Sequence, residues 1–136
     1  MKILITTWWI VLLMLVMSAT HPKQDANPES ELTLLMREMF DDAMRMKKEI
    51  LRGEHPTSEK DFSSILTAQA SVASKTEHKR FPELAAAYLA AFEALKAADS
   101  HHVRLQYTQM VESCMNCHSA VCPGPKMRIQ YLYIKE

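Results

Sequence analysis

From Ser30 onward, apolar side chains return every three or four positions, the spacing that places them on one face of a helix. In SELTLLMREMFDDAMRMKKEILR, residues Leu32, Leu35, Met36, Met39, Phe40, Ala43, Met46, Lys47 and Ile50 recur at helical spacing and make a single stripe, apolar apart from Lys47. The pattern predicts a helix from about Ser30 to Arg52, with Ser30 as its N-cap and Gly53 just past its last turn. A second helix is expected from about Ser58 to Lys75, opened by Pro56-Thr57-Ser58 and striped by Phe62, Ile65, Leu66, Ala68, Gln69, Val72 and Ala73. The third, PELAAAYLAAFEALKAA, begins with Pro82 in a first turn, where a missing N–H costs nothing. Its stripe is Leu84, Tyr88, Ala91, Phe92 and Leu95. A fourth is expected from Asp99 or Ser100 to about Val121, where Pro123-Gly124-Pro125 must stop it. The tail KMRIQYLYIKE alternates apolar and polar residues and reads as a short extended segment lying across the rest. Four amphipathic helices with short connections bury their stripes most simply as an all-α, antiparallel four-helix bundle.

Ahead of this pattern the chain opens MKILITTWWIVLLMLVMSAT. One lysine, an apolar run from Ile3 to Met17 and the small residues Ser18, Ala19 and Thr20 have the layout of an export signal. The run falls short of the roughly 20 apolar residues that a spanning helix needs. Residues 1–20 are therefore assigned as a signal peptide, with an uncleaved membrane anchor as the alternative. Residues 21–29, HPKQDANPE, are polar with two prolines and read as a linker. Residues 30–136 then form one domain, exported to the periplasm.

Composition supports helices: glycine occurs only at positions 53 and 124, and the ten methionines suit an irregular core. The formal charge of the 136 residues is balanced, and Lys2 is the single charge in the signal, so nothing suggests a nucleic-acid surface. No nucleophile–base pair, carboxylate couple or phosphate-binding loop argues for an enzyme.

The chemistry is concentrated in VESCMNCHSAVCPGP. On a helix, Cys114, Cys117, His118 and Cys122 share one face. Zinc has four soft ligands here, but side chains along one face of a straight helix cannot surround an ion tetrahedrally. An iron–sulfur cluster prefers four thiolates, and a thioredoxin-like dithiol expects a βαβ pattern that the sequence lacks. C-x-x-C-H is the attachment signature of c-type haem. Two thiols three residues apart reach the two vinyl groups on one porphyrin edge, and His118 becomes the proximal iron ligand. One covalent haem is the expected cofactor.

A helical bundle behind an export signal, with CxxCH near the end of its last helix, resembles the cytochromes c prime and their low-spin relatives. The likeness spans about Ser30 to Val121 and is one of layout. It implies that the first helix crosses the distal face of the haem, with either a non-ligating hydrophobe or a ligating methionine there. Laid on that pattern, Met36 takes the distal position and Met39 lies one turn on. Leu32 stands where the family carries an arginine, the link between the second and third helices is short (TEHKRF), and the segment after the motif is long and adds Cys122.

The sixth iron position is thus open to Met36, Met39, one of His55, His78, His101 and His102, or nothing. Met36 is the first choice. Cys122 reads as a buried small hydrophobe, a free thiol or an intermolecular link. Lys126 and Arg128 are candidate partners for haem carboxylates, and Tyr107, Tyr131 and Tyr133 for packing at the haem edge or the bundle end. The expected function is single-electron transfer between redox partner proteins. The alternatives are a five-coordinate haem protein binding nitric oxide or carbon monoxide, and a zinc-stapled helical adaptor. A homodimer is compatible with either haem reading.

Overall fold

A computed structural model describes residues 29–135, so the expected signal peptide and all of the expected linker except residue 29 lie outside the described residues. The chain is all-α there, with no strand among the described residues and no helix long and apolar enough to cross a membrane. Helix α1 spans Glu31–Leu51, α2 Ala73–Thr76, α3 Phe81–Lys96, α4 Val103–Ala120 and α5 Lys126–Ile129; short 3-10 turns cover Ser63–Leu66 and Gln130–Leu132.

The first helix follows its local signals closely. The Ser30 hydroxyl accepts from the Thr33 backbone N–H at 3.3 Å, which satisfies one of the unpaired first-turn donors. At the other end Gly53 adopts φ +77°, and the N–H groups of Gly53 and Glu54 return to the carbonyls of Ile50 and Glu49. The helix buries Leu32, Met39, Ala43, Met46 and Ile50. Helices α3 and α4, joined by a short turn capped by Asp99, make the most extensive contact in the domain.

Two expectations fail. The second long helix does not form, so among the described residues three long helices stand where four were expected. Between Gly53 and Arg80 the chain is a strap with one 3-10 turn and the single-turn α2. Only Phe62 and Ile65 of its expected stripe are buried, whereas Leu66 and Val72 are about half exposed. The strap is rich in serine and threonine and contains Asp61, and such side chains offer the backbone other partners: Asp61 accepts from the Ser63 N–H at 2.8 Å and Ser58 from the Lys60 N–H at 3.2 Å. Its anchor is aromatic. The Phe62 ring lies 5.1 Å from Phe92, which stacks on Tyr88 at 6.0 Å.

The tail is helical rather than extended. Ile129 and Leu132, three apart, are buried at 5% and 2% exposure, while Met127 and Tyr131 face solvent at 67% and 69%. A strand would have placed Ile129 and Tyr131 on one face. The helical turn buries the pair that can reach the core, and Pro125 opens it. Tyr107 locks the assembly. It is fully buried on α4, and its hydroxyl lies 3.1 Å from the Ala43 carbonyl on α1 and 3.0 Å from the Leu132 carbonyl in the tail.

Candidate functional site

Helix α1 and the end of α4 make few close backbone contacts. The gap between them is a cavity of about 580 Å³, closed at its sides by the strap and the tail. That volume falls within the roughly 300–1,000 Å³ of cofactor and small-molecule sites. Leu32, Met36, Met39 and Phe40 form the α1 wall; Cys114, Cys117, His118 and Val121 form the opposite wall; Cys122 follows the end of α4.

Cys114 and Cys117 fall one turn apart in the last two turns of α4, so both border the same space. Burial pushes the Cys114 thiol up to about 12, with the neighbouring Cys117 adding to the effect. Burial also raises Cys117, followed by the proximity of Cys122. The negative end of the helix dipole works in the same direction. All three cysteines are free thiols. Redox dithiols depend on depressed thiol pKa values at helix N-termini, so this environment is the reverse of what thiol–disulfide exchange requires.

His118 completes the wall. Its Nδ1 lies 2.9 Å from the Cys122 carbonyl and, facing an acceptor, carries the proton. That arrangement leaves Nε2 unprotonated and able to ligate a metal. Burial lowers the His118 pKa, the Cys122 hydrogen bond partly offsets this, and the charge of Lys75 lowers it further. The imidazole is therefore neutral near pH 7.

Among the described residues no three His, Cys, Asp or Glu side chains converge on a point that could hold a metal ion. A tetrahedral zinc staple from Cys114, Cys117, His118 and Cys122 therefore lacks its geometry. The dispositions do fit a porphyrin: two neutral thiols on one edge, an oriented imidazole beside them, and largely apolar side chains on the facing wall.

The methionines of the α1 wall differ. Met39 is 6% exposed and belongs to the core, whereas Met36 is half-buried at its edge. None of the four candidate histidines borders the cavity. His55 sits between the carbonyls of Pro56 and Ala98, His78 accepts from the Arg80 N–H, His102 pairs with Asp99, and His101 is exposed. Tyr107 is part of the core, Tyr131 is exposed and Tyr133 is half-buried; none of them reaches the cavity.

Of the two tail cations, Arg128 is in the wall and Lys126 is not. Arg37 and Lys75 are wall residues that the sequence did not single out. Arg37 carries no motif, and Lys75 looked like the last residue of a helix that does not form. No family model, curated protein or solved structure matches this chain.

Proposed function

We propose that this chain is an exported, periplasmic monohaem c-type cytochrome that carries single electrons between redox partner proteins; it resembles the cytochromes c prime in carrying CxxCH near the end of its last long helix, and departs from their four-helix layout where the second long helix is replaced by the strap. The observation that carries the reading is that Cys114, Cys117 and His118 line the α4 wall of the cavity and Met36 lines its α1 wall. Cys114 and Cys117 would hold the haem covalently, His118 would be its proximal ligand, and Met36 its distal ligand. When bound, the haem iron supplies a one-electron ferric/ferrous couple, and a methionine ligand favours the reduced state.

The protein's own residues do the rest. The Cys122 carbonyl fixes the His118 tautomer and ring plane through Nδ1–H. Leu32, Met39 and Phe40 keep water from the α1 side of the cavity, which lets a thioether act as ligand without burying a charge. Phe81, at the start of α3, and Ile129 and Leu132 of the tail close the flanks with apolar surface.

Intact mass tests the attachment directly. The denatured exported protein should exceed the bare polypeptide by one haem, and Cys114→Ala combined with Cys117→Ala should abolish the increment. A wild-type mass equal to the polypeptide refutes the reading.

A further inference from the structure

Among the described residues the cavity wall contains three cations, Arg37, Lys75 and Arg128, and no carboxylate. Arg37 is already compensated: its guanidinium grips both oxygens of Glu29, one of the contacts at 2.6 Å. Lys75 and Arg128 are different. Among the described residues neither takes part in an ion pair. Arg128 is exposed, and its guanidinium lies over the Phe40 ring, 4.8 Å from the centroid, a cation–π contact that supplies no acceptor for its N–H donors. Lys75 is half-buried on α2, in the strap, while Arg128 projects from the tail, so the two approach the cavity on different segments. Two cations bordering one largely apolar space without a counter-charge favour an occupant that carries negative charge.

We propose that Lys75 and Arg128 select a doubly anionic occupant, gripping the two carboxylates of a tetrapyrrole whose apolar ring fills the cavity between α1 and α4. This rests on the haem reading and deepens it by giving the strap and the tail a recognition role. It also accounts for the position of α2, a single helical turn whose side chains contribute little to the core but which brings Lys75 to the cavity edge.

The test titrates the full chain, with its cysteines as free thiols, with ferric protoporphyrin IX and with its dimethyl ester, in which both carboxylates are masked. The wild type should bind the diacid about tenfold or more tighter than the diester, the scale set by two partly exposed charge pairs. The double variant Lys75→Gln, Arg128→Gln should lose that preference to within about twofold while binding the diester as the wild type does. Far-ultraviolet circular dichroism establishes that the variant keeps its helices, and Lys48→Gln, an exposed α1 cation outside the cavity wall, should change nothing. Equal wild-type affinity for diacid and diester overturns the inference and leaves the haem reading standing, as does a double variant that retains the preference. Binding of neither porphyrin, with no haem increment in the intact mass, overturns both.

Discussion

Substituting Met36 and Met39 separately pits iron ligation against core packing, because the structure gives the two side chains different surroundings. Met39 is 6% exposed within the core cluster, and truncating such a methionine to alanine costs about 2–5 kcal/mol. One flank of Met39 borders the cavity rather than close-packed atoms, which places the expected cost in the lower part of that range, about 2–3 kcal/mol. For a domain of this size that corresponds to a fall in Tm of roughly 10–20 °C. Met36 is half-buried at the cluster edge, so its truncation should cost about 1 kcal/mol in packing, a fall of roughly 5 °C. Thermal unfolding of the chain without haem isolates these packing terms from any bond to iron. Spectra of the oxidised holoprotein should then give the opposite ranking. Met36→Ala removes the weak near-infrared sulfur-to-iron band, lowers the reduction potential and opens the iron to carbon monoxide, whereas Met39→Ala keeps the band. Loss of the band in Met39→Ala alone would move the ligand one turn along α1. A wild type that lacks the band and binds carbon monoxide readily would refute methionine ligation and favour the five-coordinate gas-binding alternative.

The remaining predictions concern protonation and the two buried tyrosines. His118 has a folded-state pKa below its ordinary 6.5, so without haem the unfolded chain takes up its proton first as pH falls. The contribution of His118 to stability should therefore be intact above about pH 6.5 and decline below it, and His118→Gln should flatten that part of the urea-midpoint profile; an identical profile in the variant would refute the assignment. In the holoprotein His118→Ala should abolish the native spectrum or stop maturation, and an unchanged spectrum would exclude it as ligand. Tyr107→Phe removes the hydroxyl that joins α1 to the tail and should cost about 1–2 kcal/mol by chemical denaturation. Tyr88→Phe should be neutral or stabilising by up to about 1 kcal/mol, since the Tyr88 hydroxyl is buried without a hydrogen-bond partner among the described residues. Equal losses from the two tyrosine changes would show that the Tyr88 hydroxyl is satisfied after all.

Sequence by itself determined what depends on near neighbours. Ser30 caps α1, Gly53 ends it in the left-handed conformation only glycine adopts freely, and Pro82 opens α3, each through interactions within a few residues. The spacing of Cys114, Cys117 and His118 likewise guarantees a shared face once α4 forms, because helical periodicity alone aligns them. What lies opposite that face was decided by tertiary structure. The stretch from Ser58 to Lys75 has enough apolar residues for a helix, but only Phe62 and Ile65 find a place in the core. Its backbone is spent elsewhere: the Gln69 carbonyl accepts from the Leu32 N–H at 3.0 Å, and the Glu31 carboxylate accepts from the Gln69 N–H at 3.2 Å. Those bonds join residues nearly forty positions apart, and no local pattern announces them. They hold the strap against the start of α1, and the strap in turn brings Lys75 to the cavity. The tail was settled in the same way. Its alternating residues fit a strand, but the space beside Tyr107 admits Ile129 and Leu132 together only if they are three apart on a helical turn, and that turn sets Arg128 against Phe40 at the cavity wall.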